Sequence, residues 1–456
     1  MAVVASVSSD RARALPCANL RVGSMTSPIR MCLLLVAGLA VVDIRSAFSQ
    51  NNPLYAWTNF VGEPGFEDPR AWPIDVGNAG SVDGIGRAAR FYHPYGVAVD
   101  DAGNLFVADT FNHKIRKVTP DALVTMLAGG PGARGTNADT PGEVHLIGPD
   151  GMPVDAPGVS GTADGQGLAA RFYRPESVAV DRAGNVFVAD TMNNTIRRVS
   201  AAGIVTTLAG NPDVWPPRNP EDAHRAFRAS ALQGVAGRFP GHDFALHHAD
   251  DGVGSAGRFN SPKAITVDRE GNLFVADACN QTIRKITPSG LATTLAGKPA
   301  SIGDADGTTS AARFNFPAGV AVDRAGNVFV ADSVNHTIRK VTQSGLVTTL
   351  AGKAGTAGTN DGIGPSARFY APSGVAVDRA GNLFVADSGN STIRKVTLAG
   401  VVTTIGGAPG VTGWDDGIGT SAQFCGPCGI AVDGAGCLYV ADSGNNRITK
   451  GTPVRP

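Results

Sequence analysis

The chain has 456 residues, 43% of them apolar, and its 39 lysines and arginines balance 39 aspartates and glutamates. The neutral balance argues against a basic nucleic-acid-binding protein, and the apolar content argues against an intrinsically disordered chain. The 59 glycines and 29 prolines disfavour long helices.

The first predicted element is an export signal. The apolar run MCLLLVAGLAVV, residues 31–42, follows Arg30 and precedes the small residues Ala47 and Ser49. Such a run is too short to span a bilayer comfortably, but it has the length of the apolar segment of a signal peptide. We therefore expect residues 1–49 to be a signal peptide, with Met25 as a second candidate start. The mature protein would be periplasmic or extracellular, with no integral membrane segment.

One motif then recurs six times in residues 50–456. The prolines that mark it are Pro94, Pro175, Pro262, Pro317, Pro372 and Pro427. The last four are 55 residues apart, whereas the first two intervals are 81 and 87 residues. The additional residues fall between the end of one repeat and the Asp-Gly pair of the next. Two long insertions, residues 131–163 and 211–250, are thus predicted to interrupt a regular scaffold.

Each repeat contains four predicted strands, GVAVD, LFVAD, TIRKVT and VTTLAG or close variants, which are rich in β-branched residues and separated by turns such as DRAGN. Four-stranded sheets repeated around an axis describe a β-propeller. The sixth repeat lacks a fourth strand, and the segment WTNFVGEPG, residues 57–65, resembles the missing one. We therefore predict an all-β, six-bladed propeller of antiparallel blades. An N-terminal strand would complete the last blade and leave no exposed sheet edge.

The pattern ARFxxPxGVAVDxxGNxFVADxxNxTIRKVT, followed by VTTLAG, resembles the NHL repeat. The resemblance extends from about residue 54 to residue 456 and implies the propeller fold. NHL-like propellers include protein-binding modules, extracellular sensor domains linked to kinases, and a few enzymes such as peptidyl-hydroxyglycine amidating lyase. The resemblance therefore leaves the function open.

Residues present in nearly every repeat are expected to hold the blades together. Asp387 and Asn390, with their equivalents, are predicted to cap the turn between the second and third strands. The arginine of ARF, such as Arg90, is predicted to reach carbonyls or acids of a neighbouring blade. The segment CGPC, residues 425–428, copies a thioredoxin-type motif but enters an inner strand with no helix behind it. A local disulfide or two unrelated thiols are expected there instead of a redox centre.

Function is expected where the repeats differ. Alternating strand direction places the fourth-to-first connections, the second-to-third connections and both insertions on one face, around the mouth of the central channel. A ring of mixed apolar, charged and polar side chains there suits recognition. The predicted ligand-binding residues are Tyr95, Glu176, Lys263, Phe111, His113, Met192, His336, Trp215, Arg225 and His242. The prediction is a monomeric binding module for a protein, peptide or glycan, with no cofactor and no nucleic-acid partner.

The alternative is a metal-dependent lyase or lactonase, of the amidating-lyase or gluconolactonase type, that uses the same face. The metal-capable side chains in the second insertion are His242, Asp243, His247 and His248. Their spacing matches no zinc signature. A lactonase would need inward-facing Glu, Asp and Asn around a calcium ion, and the ring offers only Glu176. No catalytic residue is assigned.

Overall fold

The computed structural model describes residues 54–65, 79–130, 160–212 and 249–454. Within these ranges the chain forms six five-stranded sheets, the blades of a β-propeller. Blade 1 comprises β2 (Gly84–Ile85), β3 (Pro94–Val99), β4 (Leu105–Asp109), β5 (Lys114–Val118) and β6 (Leu123–Ala128). Blade 2 comprises β7 (Gly165–Gln166), β8 (Pro175–Val180), β9 (Val186–Asp190), β10 (Thr195–Val199) and β11 (Ile204–Gly210). Blade 3 comprises β12 (Gly252–Val253), β13 (Pro262–Val267), β14 (Leu273–Asp277), β15 (Thr282–Ile286) and β16 (Leu291–Ala296).

Blades 4 to 6 repeat this arrangement. Blade 4 comprises β17 (Gly307–Thr308), β18 (Pro317–Val322), β19 (Val328–Asp332), β20 (Thr337–Val341) and β21 (Leu346–Gly352). Blade 5 comprises β22 (Gly362–Ile363), β23 (Pro372–Val377), β24 (Leu383–Asp387), β25 (Thr392–Val396) and β26 (Val401–Gly406). Blade 6 comprises β1 (Leu54–Val61), β27 (Gly417–Ile418), β28 (Pro427–Val432), β29 (Leu438–Asp442) and β30 (Arg447–Val454).

The helices of the described ranges are single 3-10 turns. One group follows the outermost strands, at Gly86–Ala88, Gly167–Ala169, Gly254–Ala256, Thr309–Ala311, Gly364–Ser366 and Gly419–Ser421. A second group follows the second long strands, at Thr110–Asn112, Thr191–Asn193, Ala278–Asn280, Ser388–Asn390 and Ser443–Asn445. No helix in these ranges is long and apolar enough to cross a membrane.

The strand order within a blade confirms the predicted propeller and adds one strand to it. In blade 1 the order is β2-β6-β5-β4-β3, with β3 innermost and every pairing antiparallel. The prediction of four strands per blade missed the outermost one. The Asp-Gly pair that marks the start of the repeat leads into a two-residue strand, in which Gly84 pairs with Val124 and Ile85 with Leu123. A strand of two residues is too short to show a period in the sequence.

The N-terminal strand closes the ring as predicted. Strand β1 pairs along its length with β30, with Trp57 opposite Gly451, and it also pairs with β27. The strand begins at Leu54, three residues before the predicted start. Trp57 is 1% exposed, donates from Nε1 to the carbonyl of Ile405 at 3.0 Å, and packs edge-on against Phe424. This one side chain therefore contacts both blade 5 and blade 6.

The hydrophobic core lies between the blades. Every residue of β4 is buried, because a blade is covered by a neighbour on each face. Phe106 and Ala108 of blade 1, for example, pack in one cluster with Phe172 and Val186 of blade 2. Five further clusters join the other neighbouring pairs, including blade 6 with blade 1. Since apolar burial is the main driving force of folding, each blade depends on both of its neighbours.

A buried arginine on the third long strand ties each blade to its own incoming connection. In blade 1, Arg116 donates from Nη1 to Asp109 Oδ2 at 2.8 Å and from Nη2 to Asp83 Oδ1 at 2.6 Å. Asp109 also accepts from Asn112 Nδ2 at 2.9 Å and from the backbone N–H of Tyr92 at 2.8 Å. The equivalent arginines are Arg197, Arg284, Arg339, Arg394 and Arg447. Burial raises the pKa of Asp190, the partner of Arg197, to about 6, although the arginine charge opposes that shift.

This network corrects two expectations. Asp387 makes no side-chain hydrogen bond to the backbone of the turn that follows it. Its carboxylate accepts instead from the side chain of Asn390 at the end of that turn, from Arg394 and from the N–H of Tyr370. Arg90 is not directed at a neighbouring blade, because its Nη1 donates to the carbonyls of Arg87 and Ala89 in its own connection. The planar guanidinium that bonds to several elements at once belongs to the third strand.

Candidate functional site

The prolines of the innermost strands and the turns after the second strands lie at the same end of every blade. In blade 1, Pro94 pairs with Asp109, and Asp109 pairs with Lys114. We call this end the mouth face. The end of the first insertion is tied to it, because Asn193 Nδ2 donates to the carbonyl of Gly161 at 2.7 Å. The hairpins between the first and second long strands lie on the opposite face.

Three predicted binding residues meet at the channel mouth. They come from blades 1, 2 and 3 and follow the marking prolines. Lys263 Nζ lies 2.9 Å from Glu176 Oε2. The same ammonium lies 5.9 Å from the ring centroid of Tyr95 and 5.1 Å from that of Phe316. The side chain of Glu176 is 2% exposed and that of Lys263 is 13% exposed, so the ammonium is the more accessible of the two charges.

The other half of the ring carries small side chains. Blades 4, 5 and 6 contribute Ala318, Ser373 and Cys428. Ser373 Oγ donates to the carbonyl of Cys428 at 2.9 Å, which joins blade 5 to blade 6. The mouth is therefore asymmetric, with aromatic and charged groups on one side and short polar groups on the other.

The residues after the second-strand turns form a structural joint that the sequence did not reveal. Each has a positive φ, and its side chain accepts from the backbone N–H that precedes the proline of the next blade. His113 Nδ1 accepts from Arg174 at 2.9 Å, and His336 Nδ1 accepts from Ala371 at 3.1 Å. Asn194, Gln281, Ser391 and Asn446 accept in the same way. The Nδ1 atoms of His113 and His336 are thus used between blades, and their assignment as ligand-binding residues stays a prediction.

Phe111 belongs to an aromatic cluster on blades 1 and 2. Its ring centroid lies 4.8 Å from that of His93 and 5.2 Å from that of Tyr92. The guanidinium of Arg174 lies 4.8 Å from the same Phe111 ring, and Arg174 is 2% exposed. Sequence reasoning missed His93, Arg174 and Phe316, which all occupy the position just before the proline. The residue type at this position differs from repeat to repeat, and that variation could have identified these residues from the sequence.

The CGPC segment contains two thiols and no disulfide. Cys428 Sγ donates to the carbonyl of Gly426 at 3.4 Å. Burial raises the pKa of the Cys428 thiol to about 11, the opposite of what a redox-active thiolate needs. Of the two outcomes expected for this segment, unrelated thiols is the correct one.

Of the remaining predicted residues, the structure describes only Met192. Met192 lies in the 3-10 turn Thr191–Asn193 of blade 2, on the mouth face. Trp215, Arg225 and His242, and with them the metal candidates Asp243, His247 and His248, lie outside the described residues. Within the described ranges, no group of three or more His, Cys, Asp or Glu side chains is arranged to hold a metal ion.

The repeats match a known family. The family model described as NHL repeat matches residues 91–118, 172–198, 314–341, 369–396 and 424–450. The chain belongs to the NHL-repeat β-propellers. Blade 3 is outside these matches, yet it has the same buried network, in which Arg284 lies 3.0 Å from Asp251 and 3.2 Å from Asp277.

The relatives of this NHL propeller are larger proteins. It is 29% identical over 285 residues to Protein SUPPRESSOR OF QUENCHING 1, chloroplastic, of Arabidopsis thaliana. The aligned region covers 54% of this chain and 27% of that protein. It is 29% identical over 338 residues to NHL repeat-containing protein 2 of Bos taurus, which covers 70% of this chain and 41% of that protein. The chain thus spans less than half of these relatives. A solved auxiliary nutrient binding protein from Bacteroides thetaiotaomicron VPI-5482 has the same fold, with a TM-score of 0.54, 14% identity, and coverage of 87% of this chain and 76% of that one.

Proposed function

We propose that this NHL propeller is a binding module that holds a protein, peptide or glycan ligand at its mouth face. The observation that carries the proposal is the ion pair of Glu176 and Lys263, framed by the rings of Tyr95 and Phe316. A few well-placed polar groups among aromatic side chains are the usual composition of a binding site. We propose that this module works outside the cytoplasm, as the leader predicted in residues 1–49 would direct it there.

The repeats do not require this ion pair. The residues that hold the blades together, such as Asp109 and Arg116, recur in all six blades as buried aspartate–arginine pairs. Glu176 and Lys263 have no counterpart, because the equivalent positions in the other blades are Tyr95, Ala318, Ser373 and Cys428. A buried charge pair costs solvation energy and contributes little net stability, so its presence at the mouth favours a role in recognition.

The pair is well suited to a polar ligand. The ammonium of Lys263 is a cation with three N–H donors, and it lies 2.9 Å from Glu176 Oε2. The flanking rings of Tyr95 and Phe316 offer apolar faces to a ligand. A peptide or glycan carries carbonyl or hydroxyl oxygens beside apolar surface, which matches this arrangement.

The test is a binding screen followed by a variant that removes both charges together. Residues 50–456 would be screened on peptide and glycan arrays, and the affinity of each hit measured by isothermal titration calorimetry. We expect Glu176→Gln with Lys263→Met to weaken binding by about tenfold or more, since a hydrogen bond to a charged group is worth about 1.5–3 kcal/mol. Asp101→Ala, on the opposite face, is the matched control.

Two results would contradict the proposal. One is a screen in which the unmodified protein binds no peptide, protein or glycan. The other is a ligand whose affinity is unchanged by the double substitution but reduced by Asp101→Ala. Removing both charges avoids leaving the nearly buried Glu176 unpaired, so a thermal melt can verify that the variant still folds.

A further inference from the structure

The face opposite the mouth contains a cleft of about 500 Å³ between blades 3 and 4. Its walls are the hairpins that join the first and second long strands of the two blades. Arg269 comes from one hairpin and Arg324 from the other, and Lys285 of β15 lies deeper, 5.9 Å from the ring centroid of Phe274. The cleft thus brings three cations from two blades together.

The two arginines are available to a ligand. Both are exposed, and no carboxylate within the described ranges forms a salt bridge with either of them. Arginines elsewhere in these blades behave differently, since Arg284 and Arg339 are each held by two aspartates. An arginine guanidinium presents a planar set of donors that matches a carboxylate or phosphate.

The aspartates of the cleft are already used inside their own hairpins. Asp268 Oδ1 accepts from the N–H groups of Glu270 and Asn272, and its Oδ2 accepts from Asn272 Nδ2 at 2.8 Å. Asp323 holds the blade 4 hairpin through the same contacts. Glu270 is the remaining acid of the lining, and it is exposed at the hairpin tip. The equivalent residue of every other blade is alanine, so Glu270 provides a test of charge by itself.

Two side-chain amides, those of Asn272 and Gln343, add hydrogen-bond acceptors to the cleft. Gln343 uses its Nε2 to donate to the carbonyl of Ala325 at 2.9 Å, and Asn272 uses its Nδ2 on Asp268. Both residues line the cleft, and their side-chain carbonyl oxygens are hydrogen-bond acceptors. Acceptors of this kind bind hydroxyl groups, which an acidic sugar has and a polyphosphate lacks.

The basic residues continue beyond this cleft. The same hairpin position is Arg182 in blade 2 and Arg379 in blade 5, whereas blades 1 and 6 have Asp101 and Gly434. Arg379 leans toward the next hairpin, since a Cβ placed on Gly434 would lie 3.1 Å from its Nη2. Four successive blades therefore present an exposed arginine at the same hairpin position.

We propose that the cleft and these hairpin arginines form a second binding site, which takes an acidic oligosaccharide. A uronate carboxylate would lie between Arg269 and Arg324, and the sugar hydroxyls would donate to Asn272 and Gln343. This site is on the face opposite the mouth face, and it does not depend on the ligand site proposed around Glu176 and Lys263. It assigns a role to hairpins that the repeats need only as turns.

The experiment is calorimetric titration of residues 50–456 with trigalacturonate, using its methyl ester as the uncharged probe and tripolyphosphate as the phosphate probe. We expect trigalacturonate to bind, and Arg269→Ala with Arg324→Ala to weaken that binding by about tenfold or more. Glu270→Ala should strengthen it, because it removes the competing carboxylate. Arg87→Ala, an exposed arginine in the 3-10 turn Gly86–Ala88, should leave it unchanged.

Each contrary result overturns the assignment. Equal binding of the methyl ester would show that charge is not recognised, and an equal loss in Arg87→Ala would show that the attraction is unspecific. Tighter binding of tripolyphosphate than of trigalacturonate would exclude an acidic sugar as the ligand. No binding of trigalacturonate would exclude the site itself. Because the substituted side chains are exposed, an unchanged melting temperature should accompany every variant.

Discussion

One hydrogen-bond acceptor joins each blade to the next on the mouth face. In blades 2 and 6 it is the Oδ1 of Asn194 or Asn446, at 2.8 Å from the N–H of the following blade. In blade 4 it is His336 Nδ1. An imidazole nitrogen accepts only while it is unprotonated, whereas an amide oxygen accepts at every pH. The joint after blade 4 is therefore sensitive to pH, and the joints after blades 2 and 6 are not.

This difference predicts that the free energy of unfolding depends on the pH through His336. Asparagine, the residue at this position in blades 2 and 6, should remove that dependence. Burial lowers the pKa of His336 below the ordinary value of 6.5, although the Ser333 carbonyl opposes that shift. The unfolded chain therefore binds the proton at a higher pH than the folded chain does. The contribution of neutral His336 is complete above pH 6.5 and is lost as the pH falls through the lowered pKa. We expect His336→Asn to retain the acceptor and abolish this dependence.

Urea unfolding at pH 8 and at pH 5 would measure the effect. Between these values the wild type should lose about 1 kcal/mol more free energy of unfolding than His336→Asn, which is the net value of one hydrogen bond. His336→Ala serves as the control that lacks an acceptor, and it should be the less stable variant already at pH 8. Parallel pH profiles for wild type and His336→Asn would contradict the assigned joint.

The residue scale is also where sequence reasoning succeeded least. It found the ring of Tyr95, Glu176 and Lys263, because single repeats depart there from an otherwise common motif. It did not reveal the joint that His113, His336 and their equivalents form, because four different residue types make the same hydrogen bond and so looked variable. It overlooked the buried arginines of TIRKV, since an arginine next to a lysine on a strand is typical of a solvated face. Only the packed neighbour blade shows that the arginine side is covered.

At the scale of elements, blade 6 is assembled from both ends of the chain. Its inner strands follow Pro427, and its fourth strand is β1. The repeat pattern predicted this closure because a fourth strand was absent from one end and present at the other. The outermost two-residue strands were not predictable in the same way. Their pairing depends on the neighbouring strand and hardly on their own composition.

Removing β1 should open the ring. Deletion of residues 50–65 takes away the partner of β30 and β27, and it removes Tyr55 and Trp57 from the core between blades 5 and 6. We expect the truncated protein to be insoluble or to melt at a much lower temperature, because a bare sheet edge is prone to aggregation.

A single substitution tests the same closure while leaving strand β1 in the chain. Trp57→Ala should cost about 3–5 kcal/mol of free energy of unfolding, as for other large buried aromatic residues. Tyr439, buried in the same blade, gives a comparison through Tyr439→Phe, which retains the ring and should cost far less. Differential scanning calorimetry would measure both variants. An unchanged melting temperature in the deletion would mean that β1 does not close the ring.

At the scale of the whole molecule, the six blades form one regular ring, and both insertions leave and rejoin this ring on the mouth face. Both ends of the first insertion keep the contacts of the regular repeats. Before it, the N–H of Gly129 donates to the carbonyl of Gly167. After it, Asp164 Oδ1 lies 2.6 Å from Arg197 Nη2. The insertions interrupt the repeat period without altering the repeats beside them. Long interruptions in a compact domain are commonly functional.

We therefore expect the insertions to be needed for the mouth-face ligand and not for folding. Residues 131–163 and 211–250 would each be replaced by the short connector that runs from Gly352 to Asp361 in the regular repeats. The melting temperature should stay within a few degrees, because every blade retains its strands and its buried arginine. Binding of the mouth-face ligand should be lost, since the second insertion offers Trp215, Arg225 and His242, and aromatic and arginine side chains usually supply binding energy.

Calorimetry on each single replacement separates the two insertions, and trigalacturonate binding on the opposite face serves as the internal control. A propeller that lacks both insertions and still binds its mouth-face ligand with full affinity would limit the site to the ring around Glu176 and Lys263.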